Sequence, residues 1–153
     1  MPRWKRPDPG ALLLVPQQNG KCTVVQVLDW PNKHIVSVCT FEPQVKSDYS
    51  GMLDSLTPFA RLAVTTEALA DGLWKGCGKD RVALPQRLWP FEHTRALGWV
   101  GFGCSSANVL SEFLDAWWGL VPWDSYGFGR PFDVYLLPGV SRPARAYMGS
   151  ERS

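Results

Sequence analysis

Cys104 is the residue of this chain most nearly placed for chemistry, because it closes the run Gly101-Phe102-Gly103-Cys104 just ahead of a helical segment that opens near Ser105 or Ser106. A cysteine attacks as the thiolate, and the positive end of a helix or a neighbouring imidazole is what lowers a thiol's pKa far enough to supply one. The imidazoles available are His34 and His93. Nothing in the sequence brings either to Cys104, so the thiol reads as a buried, structural one beside a glycine turn. The same glycine junction echoes an anion-binding helix N-terminus, but neither GxxxxGK[ST] nor GxGxxG occurs, and tight packing accounts for it. Two distant histidines and four widely spaced cysteines without a CxxC pair give no metal-ligand set. The expectation is a protein with no catalytic residue, no metal and no cofactor.

Aromatic residues offer a different kind of function. There are eight tryptophans, and tryptophan is enriched among the residues that carry binding energy at interfaces. Trp74, Trp99 and Trp117 fall on strand-like or helix-like segments and read as core. Trp30, Trp89 and Trp123 adjoin prolines in loops. Of these, Trp123 reads as structural, while Trp30 and Trp89 fit equally an interface anchor or a ring folded back over the core. Between Glu42 and Pro58 the pattern loses its period at Pro43, Ser47, Asp48, Ser50 and Gly51, which marks a long loop of the kind that carries recognition. Its acidic and aromatic residues Glu42, Asp48, Tyr49 and Asp54, with Trp30 and Trp89 beside them, are the expected partner contacts.

The composition narrows the partners. Sixteen basic and fourteen acidic residues leave a formal charge of +2, too small and too dispersed to hold a phosphate backbone, so nucleic acid is not implied. The basic residues gather at the ends, Arg3, Lys5 and Arg6 in front and Arg142, Arg145 and Arg152 behind, where frayed termini are the simplest reading. Cys22 and Cys39 sit in β-branched runs and behave as small hydrophobes; a hairpin could still bring these two together. Leu12 to Val15 stops at Pro16, too short for a secretion signal, and no run approaches the ~20 apolar residues that cross a bilayer. A cytoplasmic protein without membrane contact is expected.

The elements that must position these residues follow from turn and period signals. Ala11 to Val15, the turn at Asn19-Gly20 and Cys22 to Leu28 form a hairpin. Trp30-Pro31-Asn32-Lys33 reads as a second turn, leading into a strand from His34 to Phe41. Arg61 to Val64 is a fourth strand; Thr65-Thr66-Glu67 opens a short helical turn that Gly72 stops; Leu73 to Gly78 is a strand edge or bulge. Arg81 to Leu84 and Gly98 to Phe102 are further strand candidates. The clearest helix runs from Ala107 to Trp118, capped by Ser105 or Ser106 and ended by Gly119. Val109, Leu110, Phe113, Leu114 and Trp117 share its apolar face, each contributing ~1.5–3 kcal/mol on burial, with Asn108, Ser111, Glu112 and Asp115 opposite. Pro122 to Tyr126 and the glycines 127 and 129 lead to Phe132–Gly139, which reads as a short strand or helix, and the last dozen residues read as a tail. The expected fold is α+β: a small antiparallel, partly barrel-like sheet with one main amphipathic helix packed on it, a single domain over 1–153 whose core spans about 8–139.

The succession Pro-Gly-Ala-Leu-Leu-Leu-Val-Pro at 9–16, Asn-Gly at 19–20, Val-Val-Gln-Val-Leu at 24–28, Gly-Leu-Trp-Lys at 72–75 and Trp-Gly-Leu-Val-Pro-Trp-Asp at 118–124 resembles the immunity protein 26 family of bacterial polymorphic toxin systems. Ala11 stands where members often carry an acidic residue. The resemblance implies an α+β protein that binds a cognate toxin or effector and protects the producing cell; it carries no functional residue over. The alternative is a small β-barrel peptide-recognition module with an aromatic groove, and a cysteine hydrolase built on Cys104 is a third reading that a short contact to a histidine would favour.

Overall fold

The structure, a computed structural model, describes residues 6–124 and 132–149. Five strands, β1 (Ala11–Pro16), β2 (Cys22–Asn32), β3 (Ile35–Glu42), β4 (Thr57–Thr65) and β5 (Lys75–Lys79), form one antiparallel sheet in the order β4-β3-β2-β1-β5. Helix α1 (Glu67–Ala70) is a single turn, and α2 (Ala107–Trp117) is the main helix. The fold is therefore α+β, as the sequence implies, with an open sheet instead of a barrel.

Local chemistry explains the elements. Gly20 takes φ +82° in the β1–β2 turn, where Asn19 Oδ1 accepts from the Lys21 amide, and Leu13 lies opposite Val25 in the ladder. β2 continues through Trp30-Pro31 to Asn32, past the turn expected there, and the chain reverses at Lys33-His34. Irregular pairing at Val27/Asp29 and Asp29/Asn32 accommodates a proline that cannot donate to a ladder. The loop after β3 is shorter than expected, because β4 begins at Thr57.

The alternation along the strands sends two apolar sets to opposite faces. Leu13, Val15, Val25, Val27, Val36, Val38 and Phe59 pack beneath Leu110, Phe113, Leu114 and Trp117 of α2. On the other face Leu12, Leu14, Val24, Leu28, Cys39 and Phe41 are covered by Leu53, Leu84 and Leu137. Burial on both faces is why β1 to β3 read as nearly continuous apolar runs.

α2 starts at Ser106, whose hydroxyl accepts from the Val109 amide, and stops at Gly119, φ +75°. A Cβ on Gly119 would lie 2.6 Å from the Arg145 carbonyl oxygen, so the C-terminal segment passes directly over the helix end. That segment is no free tail: Arg145 donates to the Trp117 carbonyl at 2.9 Å and lies 3.9 Å from the Trp118 ring centre, the Trp123 amide donates to the Tyr147 carbonyl, and Ala146 is buried. Arg6, also expected in a frayed end, sits 4.7 Å from the Trp30 ring centre. Residues 1–5, 125–131 and 150–153, which include Arg3, Lys5, Tyr126 and Arg152, lie outside the described residues.

Three further expectations change. Asp115 is not on a solvent face but buried, accepting from the Gln17 side chain and the Gln18 amide, both at 3.4 Å, because the polar side of α2 meets the β1–β2 turn. Residues 81–84 form no strand: their backbone is held by the buried side chain of Gln26, which donates to the Asp80 and Arg81 carbonyls and accepts from the Ala83 amide at 3.0–3.1 Å. Residues 98–102 are turns, with positive φ at Gly98, Trp99 and Gly101 that a ladder excludes.

Candidate functional site

The outer edge of β4 is only partly covered. Near one end Ser105 bridges Val64, donating to Ala63 and accepting from Thr65; near the other, Leu136 bridges Ala60 and the Leu137 amide donates to Phe59. Between these two patches opens a cleft of about 420 Å³, a size within the range of ligand sites. Arg61 of β4, Arg87, Trp89, Phe91, His93, Cys104 and Tyr135 face it.

The wall opposite β4 belongs to residues 80–104, a collar without strands. Two 3-10 turns, Gln86–Leu88 and Glu92–Leu97, shape it, and side chains tie it down. Arg95 is the hub: it donates to Glu92 at 2.6 Å and to Asp29 of β2 at 2.6 Å, and stacks 4.5 Å from the Trp99 ring centre. Its hydrogen bond to Glu92 holds that carboxyl below the ordinary carboxylate range, and the two carboxylates together raise the guanidinium's own pKa. Trp99 is thus half-buried in an ion-pair stack, not a core residue. Gly103 permits the close seating of Phe91, whose ring carbon would lie 3.0 Å from a Cβ there.

Electrostatically the cleft is cationic. Arg61 is half-buried, and burial pushes its pKa down. It donates to the Leu136 carbonyl at 2.6 Å, but among the described residues no carboxylate pairs with it or with Arg87. The carboxylate that lines the cleft, Glu92, is taken by Arg95 and by Gln86 at 2.8 Å. Ser105 and Tyr135 share a hydroxyl hydrogen bond of 2.7 Å at its border.

Cys104 is exposed in this cleft, contrary to the buried thiol expected from its glycine turn, because Gly103 and Cys104 line the gap in the edge of the sheet instead of packing beneath it. His93 lines the same cleft, yet no hydrogen bond joins the two. The first turn of α2 is already served by acceptors, Ser106 for Val109 and the Glu67 carboxylate for Ala107 at 3.4 Å, so its positive end is screened from Cys104. The cysteines are all free, with Cys22 and Cys39 buried. Among the described residues no group of three or more His, Cys, Asp or Glu is placed to hold a metal ion, and no helix is long and apolar enough to cross a membrane.

The residues expected to meet a partner are scattered. Glu42 is engaged internally, accepting from the Trp117 indole at 3.2 Å and facing Arg145 at 3.7 Å. Asp48 and Tyr49 border a shallow depression with Lys21 and Gln44, and the Tyr49 hydroxyl donates to the Met52 carbonyl. Asp54 is exposed. Trp30 and Trp89 both donate their indole N–H within the chain, to Pro7 and Leu84, which makes each a cover over the core; Trp89 also walls the cleft.

No family model matches the chain, and no curated protein or solved structure is found similar to it. The likeness to the immunity protein 26 family rests on the segments at 9–16, 19–20, 24–28, 72–75 and 118–124. Sequence reasoning missed Arg61 and Arg87. The signal for Arg61 was present: one arginine inside Phe59-Ala60-Arg61-Leu62-Ala63-Val64, a run otherwise apolar, demands a place where its charge can emerge.

Proposed function

We propose that this protein is an immunity protein that binds a cognate bacterial toxin and holds it inactive without turnover. The observation that carries the reading is the apolar surface displayed by a pinned, irregular collar. Phe91 (42% exposed), Leu97 (64%) and Val100 (72%) stand on the collar, and Val134 (69%) lines the same cleft as Phe91. Large apolar side chains left in water on a segment fixed by Arg95 are a pre-organised contact surface, one that loses little conformational freedom on binding. The order of segments that resembles the immunity family supports the same conclusion. On this reading the contact centre lies on the collar instead of the acidic 42–58 loop, whose Glu42 and Tyr49 are engaged within the chain.

A peptide-recognition module is the second reading, favoured by the aromatic walls Trp89, Phe91 and Tyr135. A cage for a cationic side chain is disfavoured there by Arg61 and Arg87.

Co-expression with the product of the adjacent upstream gene, the toxin on this reading, tests the proposal. Growth rescue and a co-purifying complex are expected, and Leu97→Arg combined with Val100→Arg should weaken that complex by about 30-fold or more, the scale of a residue worth ~2 kcal/mol, while leaving the melting temperature unchanged. Neither rescue nor complex with the wild-type chain would overturn it.

A further inference from the structure

We infer that the cleft at the edge of β4 is a carboxylate socket: it receives one acidic side chain of the toxin between Arg61 and Arg87, with that side chain's apolar stem against Trp89, Phe91 and Val134. The inference rests on the toxin-binding reading and names the anchor that reading lacks.

The charge balance of the cleft leads to it. A guanidinium removed from water keeps its charge at a cost that an anion at hydrogen-bonding distance offsets. Arg61 is half-buried and lines the cleft, and its guanidinium donates one hydrogen bond, to the Leu136 carbonyl. Arg87 brings a second cation to the same opening and His93 a further donor. Glu92, the acidic residue of the lining, is held by Arg95 and Gln86, and among the described residues no carboxylate forms an ion pair with Arg61 or Arg87. Such a site is complete only when an anion arrives from outside.

The walls choose among anions. Two guanidiniums suit one carboxylate, which arginine can grip with two parallel hydrogen bonds. The apolar surfaces of Trp89, Phe91 and Val134 suit methylenes and offer nothing to the sugars and successive phosphates of a nucleic acid. The source is placed by continuity, because Phe91 and Val134 belong both to the cleft and to the exposed apolar surface on which the toxin is proposed to dock. An acidic anchor entering a central pocket ringed by apolar contacts is also the arrangement in which a charged pair is shielded from solvent and carries binding energy.

The test has two arms. In the first, N-acetyl-glutamate amide and its neutral isostere N-acetyl-glutamine amide are titrated into the full chain while backbone amide resonances are followed. The acid should produce saturable shifts at Arg61, His93 and Ser105; the neutral isostere should bind at least tenfold more weakly; and Arg61→Gln and, separately, the exposed Arg87→Gln should each weaken the acid's binding severalfold, the latter with an unchanged melting temperature. Equal responses to acid and isostere, or none, would overturn the socket whatever the toxin does. In the second arm, the Arg61→Gln/Arg87→Gln chain is bound to the toxin, and a loss of at least tenfold in affinity is expected. A socket that takes the acid while the toxin complex is indifferent to both arginines would hold a free acid and overturn the assignment of its occupant. Probe binding without any toxin complex would overturn the toxin reading itself.

Discussion

The sheet with α2 and the collar of residues 80–104 are built on opposite principles. In the first, regular backbone pairing frees the side chains to bury apolar surface: Phe59 of β4 and Phe113 and Trp117 of α2 are joined by Trp123, Phe132 and Tyr135 from the segments after α2 in one ring cluster with centre-to-centre distances of 4.0–6.2 Å. In the collar the backbone has no ladder, and polar side chains do the holding, Gln26 from beneath and Arg95 from within. The two regions thereby divide the labour. Strength resides where the chain is regular, while the surface available to a partner is the part that regular pairing does not use.

Phe113→Ala is the strongest way to break the comparison. The ring meets Phe59, Trp123, Phe132 and Tyr135, so its removal leaves a cavity at the centre of the body and should cost about 3–5 kcal/mol. The denaturation midpoint should fall accordingly, with protection from hydrogen exchange reduced in body and collar alike, because losing the body means losing everything that stands on it. A cost below ~1 kcal/mol would mean that the ring cluster is not the organising centre.

Arg95→Ala sharpens the same contrast from the other side. It removes both ion pairs and the stack on Trp99, but the side chain is 38% exposed, so the global cost should be only about 1 kcal/mol. The local effect should be larger: amides of residues 92–102 should lose protection while those of β1 to β4 keep theirs, and on the proposed toxin-binding function affinity for the toxin should fall because an unpinned collar must be ordered on binding. Uniform loss across the sheet would show that collar and body are one cooperative unit.

The body was legible in the sequence and the collar was not, for one physical reason. Asn19-Gly20, the Ser106 cap, the i, i+4 recurrence of Leu110 and Leu114 with Phe113 and Trp117, and Gly119 all encode backbone geometry locally, and local geometry determines these elements. Residues 81–84 and 98–102 look like strands because they are short apolar runs, yet what decides a strand is a backbone partner, and here the partners are distant side chains or turns. Gln26 was the clue to the first. A lone amide inside Thr-Val-Val-Gln-Val-Leu, buried completely, has to satisfy four hydrogen-bonding positions somewhere, and the 80–83 backbone is that place. Of the candidate site, Cys104 and Trp89 were singled out in sequence; Arg61 and Arg87 were not, since only the topology brings the edge of β4 against the 86–93 segment.

Asp115→Asn gives the smallest effect and probes the exception within the body, a buried acid on the polar side of α2, against the β1–β2 turn. Burial pushes the Asp115 carboxyl up, and the hydrogen bonds from Gln18 and Gln17 offset this only in part. Linkage sets the sign. A carboxyl whose pKa is higher in the folded than in the unfolded chain binds its proton more tightly when folded, so its contribution to stability is fully present in acid, below the unfolded value, and is lost as pH rises through the folded one. Above the folded value the native chain carries a buried charge that the isosteric amide lacks, while the asparagine oxygen still accepts from Gln17 and Gln18. The variant should match or exceed the native chain at pH 7, by less than about 1 kcal/mol, and the difference should shrink as pH falls from the raised folded value to the ordinary carboxylate range, below which it is constant. A variant less stable at pH 7 than at pH 3, relative to the native chain, would mean that the charge itself is used, drawing the β1–β2 turn onto α2, and the body would then share the polar pinning that distinguishes the collar.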